Sequence, residues 1–531
     1  MKTMRLKKLL LVLMTLFVSM TAGAKKVDKG TITQSGVVYH CFYDEYADIP
    51  YYAIIGESPD ATSGITIPVN VTNGSQNYKP TSMVEGAFKN NTNIKSINIS
   101  ANITKIPYET FRGCTSLKTV AINAAVTSMD HYAFEGCSSL TDIRTIGSDA
   151  NTVTNTLTFG VDDFSNCTSL KTVTFTNATA TPHFRGCTAL ESVSFPNATA
   201  IGGFEGCTAL KTVDTPKAEA IGGSAFSGCT SLESYTAPST LTSVGASAFS
   251  GCTSLKYVDL RKAAAVVTSY DLTRGNDPRS IIYKMPKNTM LYVSAGYTFQ
   301  STSEPNIVMD GVCSNLWLDE GKNYAGSPAA PYTFTASTIS YSRSLGADKV
   351  YTICLPYAAP AKDGVKYYAF DGVDGTTVKF TEVATTKANT PYLVVTTKAI
   401  SNFNVTSPTT VSSSEGSGYS TVGDYRFQGT KSKLSPAETV GNYILQADNK
   451  WQKAEVENAS VYINPFRAYI KPMGAGARSL DMEIDGYATG INQITTVDKD
   501  GTQQYFDLSG HRLSQPKKGI NIVNGKKVVI K

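Results

Sequence analysis

The stretch Phe111-Arg-Gly-Cys-Thr-Ser-Leu-Lys-Thr-Val-Ala-Ile122 decides the fold, because the chain repeats it. An earlier copy begins at Phe88 and has Asn91 in the cysteine position. The later copies keep a cysteine three residues after the phenylalanine, and they begin at Phe134, Phe164, Phe184, Phe204, Phe226 and Phe249. Successive phenylalanines are 20 to 30 residues apart, a period typical of a solenoid of stacked coils.

A single repeat shows why the coils must stack. Leu117, Val120 and Ile122 are spaced as the inward residues of a short strand, and Phe111 fills the core beneath the opposite wall. One coil cannot bury this apolar set, whereas neighbouring coils bury it together. Their strands then pair at ~4.8 Å and form a ladder. We therefore predict a leucine-rich repeat solenoid of eight repeats over residues 86–262.

The amino terminus has the pattern of a secretory signal peptide over residues 1–24. Four basic residues precede an apolar run from Leu9 to Met20, and Ala22-Gly-Ala24 supplies a cleavage site. No later stretch approaches the ~20 apolar residues of a transmembrane helix. Without the signal, 44 of the 48 basic residues remain against 43 acidic ones. This near-neutral balance favours neither a nucleic-acid partner nor an anionic membrane.

Seven of the ten cysteines hold one register position of the repeat, from Cys114 to Cys252. Side chains that point inward in parallel are poorly oriented for disulfides, so we expect a column of reduced, buried thiols. Zinc is not expected, because no two cysteines have CxxC spacing and no histidine recurs with them. A disulfide between Cys313 and Cys354 stays open, because disulfides form in secreted proteins.

Outside the repeats the sequence also favours strands, so we predict a mainly β protein. Residues 25–85 are expected to form an N-terminal β cap, and residues 263–329 a C-terminal cap or linker. From residue 330 to 488, short alternating runs such as Tyr392-Leu-Val-Val-Thr-Thr397 are separated by Gly, Asp and Ser clusters. This spacing predicts a β-sandwich-like domain. A short β tail, residues 489–531, follows it.

The repeat F-x-G-C-T-S-L-x-x-V-x-I resembles the BspA-type leucine-rich repeats of bacterial surface proteins, here those of Bacteroidota. The resemblance implies an adhesin, extracellular or on the outer membrane, that binds host matrix proteins or other cells. The copies from Phe164 and Phe184 are shortened, and a longer loop from Gly147 to Leu157 interrupts the ladder. The adhesive partner of the family is therefore not transferable from the sequence.

The tail carries a second resemblance. The stretches Tyr505–Arg512 and Gly519–Lys531 are similar to the C-terminal sorting domains of the same phylum. The resemblance implies that residues 489–531 act as an address for an export system. The alternative is a final β-hairpin of the preceding domain.

Residues for catalysis or metal binding are sparse. The four histidines, His40, His131, His183 and His511, lie in separate segments without a metal-binding spacing. His131 and His183 are expected to be exposed on the outer arc of a coil. Asp371-Gly-Val-Asp-Gly375 lacks the remaining carboxylates of a calcium loop and indicates a hairpin turn. We therefore predict neither an enzyme nor a cofactor.

The remaining candidate site is the outward face of the ladder strands, since repeat proteins bind ligands on such extended faces. This face is rich in serine and threonine and carries charges of both signs. The residues expected to bind an extracellular protein or glycan are Lys118, Thr119, Asp142, Arg144, Lys171, Thr172, Glu191, Lys211, Asp214, Glu233, Lys256 and Tyr257. The same alternation places further residues outward, namely Lys95, Ser96, Asn98, Ala121, Thr174, Ser192, Ser194, Thr212, Ser234, Thr236 and Asp259.

Two other functions remain open. A carbohydrate-binding module would place exposed aromatic rings on one flat face, and Trp317 and Trp451 are the first candidates. A hydrolase would need a pocket with converging polar groups, which we would expect within residues 330–485.

Overall fold

The structure is a computed structural model. It describes residues 26–99, 102–263, 280–281, 283–286, 289–294, 305–318, 331–413, 418–430, 433–455, 461–474 and 479–485, and the backbone of four short strands between 505 and 530. The predicted signal peptide, residues 1–24, lies outside this part of the chain. Two compact units are present: residues 1–255, 259–286 and 296–300 form the first, and residues 256–258, 287–295 and 301–531 form the second.

Six strands precede the first repeat strand: β1 (Val27–Gln34), β2 (Val37–Tyr43), β3 (Tyr51–Ile55), β4 (Ser63–Ile67), β5 (Val71–Asn73) and β6 (Gln76–Met83). All except β4 form one sheet in the order β1-β2-β3-β6-β5, antiparallel apart from the β3–β6 pair. Alternate residues of β2 and β3, including Tyr39, Cys41 and Ile55, are buried. This sheet occupies most of the segment predicted as the cap.

The ladder begins earlier than the sequence predicted. β4 pairs in parallel with the strand of the first repeat, β7 (Ile94–Ile99). The predicted boundary at residue 86 assigned β4 to the cap, because β4 precedes the first copy of the Phe-x-x-Cys phrase. Its inward residues Ile65 and Ile67 are buried as those of a repeat strand are.

The other strands of the repeats are β8 (Lys105–Ile106), β9 (Thr119–Ile122), β10 (Ser128–Met129), β11 (Asp142–Thr145), β12 (Thr152–Val153), β13 (Thr172–Phe175), β14 (Ser192–Ser194), β15 (Ala200–Ile201), β16 (Thr212–Asp214), β17 (Ala220–Ile221), β18 (Ser234–Thr236), β19 (Ser243–Val244) and β20 (Tyr257–Asp259). On one wall, the parallel sheets β4-β7-β9-β11 and β12-β13-β14-β16 form the ladder. On a second wall, two-residue strands pair as β8-β10 and β15-β17-β19.

The repeat phenylalanines form one continuous column. The eight rings from Phe88 to Phe249 are buried, and each stacks on the next with centroids 5.1–5.7 Å apart. Offset-stacked aromatic rings at this spacing contribute beyond their buried area. The column explains why the phenylalanine is kept although the repeat length varies.

The repeat cysteines form a second column beside the rings. Each thiol, from Cys114 to Cys252, donates a hydrogen bond to the carbonyl of the phenylalanine one coil earlier, with Sγ–O distances of 3.0–3.3 Å. Asn91 replaces the first cysteine, and its Nδ2 donates to the carbonyls of Ser58, Pro59 and Ala61 at 3.3, 3.0 and 2.8 Å. All ten cysteines are buried thiols, and no disulfide joins Cys313 to Cys354.

The second unit is also built from strands. They are β21 (Met290–Val293), β22 (Ile307–Met309), β23 (Val312–Leu318), β24 (Phe334–Leu345), β25 (Lys349–Ile353), β26 (Val365–Asp374), β27 (Thr377–Val383), β28 (Tyr392–Thr396), β29 (Ile400–Asn402), β30 (Thr409–Val411), β31 (Tyr419–Val422), β32 (Tyr425–Gly429), β33 (Tyr443–Leu445), β34 (Trp451–Lys453), β35 (Ala468–Pro472) and β36 (Ser479–Ile484). One short helix, α1 (Pro436–Thr439), is capped by Ser435 and Glu438.

These strands form two sheets. In the first, β21, β22, β23, β24 and β29 are neighbours in that order, and β30 also pairs with β24. The second has the order β25-β28-β26-β27-β36-β34-β33-β35-β32-β31. It curls on itself, because Phe370 of β26 contacts Phe427 of β32 with centroids 5.8 Å apart. β26 and β27 form a hairpin as predicted, but its turn lies at residues 375–376, and Asp371 to Asp374 of the predicted turn belong to β26.

Strand β28 is shared by two hydrophobic cores. Tyr392 and Val394 belong to the core that includes the first sheet, whereas Leu393 and Val395 face the core inside the curled sheet. Alternating side chains of a strand point to opposite faces, so a strand covered on both sides is apolar throughout. The mainly β fold class is confirmed. The two-sheet sandwich stays a prediction.

The backbone of the tail forms four more strands: β37 (Tyr505–Phe506), β38 (Arg512–Leu513), β39 (Gly519–Val523) and β40 (Lys526–Ile530). They pair antiparallel in the order β38-β37-β39-β40. Within the described residues, no helix is both long and apolar enough to span a membrane.

Candidate ligand-binding face

The outward residues of β4, β7, β9 and β11 form two rows, which we call the first-sheet face. Parallel pairing without a register shift after Gly64 aligns the same position of each strand. The members of one row are Gly64, Ser96, Thr119 and Asp142, and those of the other are Thr66, Asn98, Ala121 and Arg144. Six of these eight side chains are small or lack a charge, and both charged ones lie on β11.

A seam separates this face from the next sheet. The loop from Gly147 to Leu157, predicted to interrupt the ladder, contains β12, which pairs with β13. Side chains bridge β11 to this loop: Asp142 Oδ1 accepts from the Asn151 N–H at 2.9 Å, and Thr145 Oγ1 accepts from the Thr154 N–H at 2.9 Å. Side-chain hydrogen bonds thus replace the backbone ladder at this point.

Beyond the seam, β13, β14 and β16 present what we call the second-sheet face. Thr172, Ser192 and Thr212 are aligned, as are Thr174, Ser194 and Asp214. Here the polar groups bond to one another: Ser194 Oγ donates to Asp214 Oδ2 at 2.7 Å, and Lys211 Nζ lies 3.6 Å from Glu191 Oε2. This face therefore satisfies several of its own polar groups.

The first-sheet face contains a groove of about 260 Å³. The residues that line it are Gly64, Ile65, Thr66, Ser96, Ile97, Asn98, Thr119, Val120, Ala121 and Arg144. The Oδ1 atom of Asn98 is buried and has no hydrogen-bond partner among the described residues. Leaving a buried acceptor without a donor costs about 1–3 kcal/mol of stability. A ligand that donates a hydrogen bond to Asn98 Oδ1 would recover part of this cost.

Arg144 forms the charged end of this groove. Its Nη2 lies 2.8 Å from Asp142 Oδ2, and its side chain is 40% exposed against 13% for that of Asp142. This ion pair orients the guanidinium. A guanidinium has five donors in a planar fork, so most of them remain directed at solvent or a ligand.

The two faces differ in charge. The segments that form the first-sheet face, residues 63–67, 94–99, 118–122 and 141–145, contain three basic residues, Lys95, Lys118 and Arg144, and one acidic residue, Asp142, a balance of +2. The corresponding segments of the second-sheet face, residues 152–153, 171–175, 191–194 and 211–214, contain two of each sign, a balance of zero. An anion is therefore attracted to the first-sheet face.

Ten of the twelve residues predicted to bind a ligand lie in the repeats of the first unit. Seven of these are exposed: Lys118, Lys171, Thr172, Glu191, Lys211, Asp214 and Glu233. Thr119, Asp142 and Arg144 are half-buried, as are Lys256 and Tyr257, which fall in the second unit. These last two are not part of the first-sheet or second-sheet face.

One outward assignment is wrong. Asp259 is buried, because Arg261 folds back over it: Nε and Nη2 of Arg261 donate to its two carboxylate oxygens at 2.9 and 2.8 Å. Conversely, Gly64 and Thr66 were missed as face residues because β4 lacks the repeat phrase. The alternation Ser63-Gly-Ile-Thr-Ile67 was the available signal, since it matches the inward and outward pattern of the repeat strands.

His131 and His183 connect neighbouring coils by hydrogen bonds. His131 is exposed as predicted, and its Nδ1 accepts from the Val161 N–H at 2.7 Å. His183 is half-buried, and its Nδ1 accepts from the Asp162 N–H at 3.1 Å. Across the described ranges, no group of three or more His, Cys, Asp or Glu side chains is arranged to hold a metal ion.

The two tryptophans do not form a flat aromatic face. Trp451 is fully buried in the core of the curled sheet, and Trp317 is half-buried on β23. A sugar-binding platform built on Trp451 is therefore excluded.

Comparison with known proteins gives the repeats their type. The family model described as "BspA type Leucine rich repeat region" matches residues 81–202 and 180–274 in six copies. A leucine-rich repeat protein of T. pallidum is 24% identical, with a TM-score of 0.29, over 34% of this chain and 82% of that one. A leucine-rich cell surface protein of Faecalibacterium prausnitzii is 20% identical, with a TM-score of 0.20, over 50% and 95%.

A leucine-rich repeat protein of Bacteroides ovatus is 17% identical, with a TM-score of 0.22, and the similarity covers 52% of this chain and 99% of that one. None of the curated proteins matches the chain. The first matched residue, Thr81, lies within β6, so the family model begins after β4 and covers the coils that contain the repeat phrase. Residues 81–202 and 180–274 thus match the family model of BspA-type leucine-rich repeats.

Proposed function

We propose that this protein is an extracellular or cell-surface binding protein that holds its ligand on the ladder wall of the repeats. The observation that carries the proposal is the groove on the first-sheet face, where the buried Asn98 Oδ1 has no donor among the described residues. Binding, and not catalysis, fits a lining of hydroxyls, one amide and one guanidinium. The BspA-type repeats support a protein or glycan of the host matrix or of other cells as the partner.

The proposed location follows from the ends of the chain. The signal pattern of residues 1–24 would direct export, and the tail of residues 489–531 would act as an address for delivery to the outer surface. A bacterium of the Bacteroidota type is the proposed source, by the resemblance of both the repeats and the tail.

The test is binding of the full mature chain to immobilised matrix proteins and glycans. Charge reversal at Lys118, Lys171 and Lys211 together should weaken binding and leave the unfolding curve nearly unchanged, because exposed charges contribute little to stability. The matched control reverses three exposed lysines of the second unit, Lys349, Lys387 and Lys471. If the control variant loses binding and the ladder variant keeps it, the function belongs to the second unit.

A further inference from the structure

We propose that the groove on the first-sheet face binds a sugar acid, a pyranose that carries a carboxylate beside its hydroxyls. This inference rests on the proposed function and names the ligand class of its site. Three features of the groove support it: an unsatisfied acceptor, a positively charged end, and a small hydroxylated lining.

The acceptor requires a donor from the ligand. Asn98 Oδ1 is buried and lacks a partner among the described residues, and it lies between Thr66 on β4 and Ala121 on β9. Thr66 can offer a hydroxyl, but Ala121 offers nothing polar. Because Asn98 Oδ1 is itself buried, a ligand hydroxyl can donate to it once the Asn98 side chain turns toward the groove, and this contact would recover the desolvation cost of the amide oxygen.

The carboxylate is assigned to the end formed by Arg144. Its neighbour Asp142 already receives two donors, Arg144 Nη2 at 2.8 Å and the Asn151 N–H at 2.9 Å. Asp142 therefore holds the guanidinium in place. Because these donors partly neutralise its charge, Asp142 repels a ligand carboxylate less than an unpaired aspartate would. The remaining edge of a guanidinium fork accepts a carboxylate in a two-point contact, and the exposed Lys95 and Lys118 add positive charge on the adjacent coils.

The lining favours a sugar acid as the ligand over an apolar side chain of a protein partner. Serine and threonine hydroxyls both donate and accept, as sugar hydroxyls do, and Ser96 and Thr119 place two of them in the groove. The groove lacks the apolar pocket that a tryptophan, tyrosine or leucine anchor of a protein partner would fill. Gly64 lies at the end of the groove opposite Arg144 and has no side chain. A Cβ at this position would lie 3.0 Å from Ser96 Oγ, so a larger residue would narrow that end.

The experiment titrates the full mature chain with D-glucuronate, D-glucose and succinate, and follows binding by protein NMR or calorimetry. Glucuronate combines the carboxylate and the hydroxyls, whereas glucose lacks the carboxylate and succinate lacks the ring. We expect glucuronate to bind about tenfold or more tightly than either control, since a charge-assisted bidentate contact is lost with glucose. Equal binding of succinate and glucuronate would overturn the sugar assignment in favour of a plain carboxylate, such as an acidic side chain.

Three variants locate the site. Arg144→Gln should reduce glucuronate binding about tenfold and leave glucose binding unchanged. Asn98→Leu should remove the acceptor, and Ala121→Leu should fill the groove without removing a polar group. The matched control is Thr174→Leu, at an outward position of the second-sheet face. Unfolding curves of all four variants establish that each is folded.

The outcomes distinguish this inference from the proposed function. Glucuronate binding that survives Ala121→Leu, or that Thr174→Leu abolishes instead, would overturn the groove as the site. If glucuronate does not bind but charge reversal of the ladder lysines still weakens matrix binding, the inference fails and the proposed function stands. If both fail, the ladder wall is not the binding surface.

Discussion

The thiol of Cys207 donates a hydrogen bond to the backbone carbonyl of Phe184, one coil earlier, with an Sγ–O distance of 3.1 Å. The same carbonyl also accepts from the Cys187 N–H at 3.0 Å, so the thiol occupies its second lone pair. Burial raises the pKa of the Cys207 thiol well above its ordinary range, which keeps the proton on sulfur. The cysteine therefore links each phenylalanine turn to the next coil.

This link predicts the order of two substitutions at Cys207. Cys207→Ala removes the donor and part of the packing, so it should lower the free energy of unfolding by about 1–3 kcal/mol. Cys207→Ser keeps a donor and should cost less. Urea unfolding of the full chain measures both, and Thr208→Ala, an exposed residue with a similar link to the Thr188 carbonyl, is the control. A serine variant as unstable as the alanine variant would mean that packing, and not the hydrogen bond, explains the cysteine.

A second prediction concerns the ring column. Phe204 stacks between Phe184 and Phe226, with centroids 5.7 and 5.6 Å away. Phe204→Ala should cost about 3–5 kcal/mol, from lost transfer free energy and the cavity left in a shared core. Thermal unfolding of the full chain checks this value. A melting curve that overlays that of the unchanged chain would show that the register of the repeats is wrong.

Asp163 predicts a pH dependence of stability. It occupies the position before the repeat phenylalanine, where Ala87, Ala133, Ala225 and Ala248 stand in other coils. The side chain is fully buried, and neither carboxylate oxygen has a hydrogen-bond partner within the described ranges. Burial raises the pKa of Asp163 to about 8, although the nearby backbone N–H groups of Gly160 and Ala133 act to lower it; the charges of Asp130 and Asp162 act in the same direction as burial.

The sign follows from linkage. An aspartate in the unfolded chain has a pKa of about 3.9, so between about pH 4 and pH 8 the folded chain retains a proton that the unfolded chain releases. Stability should therefore fall as the pH rises through this window. Asp163→Ala, which restores the residue of the other coils, should stabilise the protein by roughly 2–5 kcal/mol at pH 8 and little at pH 4. Urea unfolding at the two pH values measures this, with the exposed Asp214→Asn as control; an equal effect at both would contradict the raised pKa.

The sequence predicted the ladder because the repeat phrase encodes its own core. Phe111, Cys114, Leu117, Val120 and Ile122 each recur at a fixed position, and inward burial follows from strand alternation. Strand alternation does not predict burial by a side chain that lies outside the strand. Asp259 follows the outward alternation, yet Arg261 covers it.

The unpartnered acceptor in the groove could likewise not be predicted from strand alternation. Asn98 was placed outward from the sequence, but its lack of a donor depends on Thr66 and Ala121, which are distant in the chain. β4 contributes three of the ten residues that line the groove, Gly64, Ile65 and Thr66, and contains neither the phenylalanine nor the cysteine of the phrase. A pattern search for the phrase therefore could not include it, whereas the period-two alternation of its isoleucines could.

The tail gives a prediction about export. Deleting residues 489–531 should leave a folded protein in the periplasm with a nearly unchanged melting temperature, because an address is not part of the preceding core. Five lysines of the tail, Lys517, Lys518, Lys526, Lys527 and Lys531, could contact an export receptor or discourage edge pairing. Cell fractionation and thermal unfolding measure the two effects. Normal surface display after the deletion, or collapse of residues 330–488, would favour a plain final hairpin.

The seam between β11 and β12 depends on Asn155. This side chain is buried, its Nδ2 donates to the carbonyls of Asn123 and Val126 at 2.9 and 2.7 Å, and its Oδ1 accepts from Thr145 Oγ1 at 2.5 Å. Asn155→Ala would leave these groups without partners in the interior, so it should cost about 2–4 kcal/mol.

Because side-chain hydrogen bonds replace the backbone ladder at this point, the loss should be local before it is global. Hydrogen exchange of the Asn155→Ala variant should therefore accelerate first at Thr152–Val153 and at Asp142–Thr145, while the strands β7 and β14 keep their protection. Asn177→Ala is the matched control, since its exposed Nδ2 donates to the Thr154 carbonyl at 2.6 Å but in contact with water. Uniform acceleration across all the repeats would mean that the ladder has no weak point here, and that the loop from Gly147 to Leu157 is as firmly integrated as the regular coils.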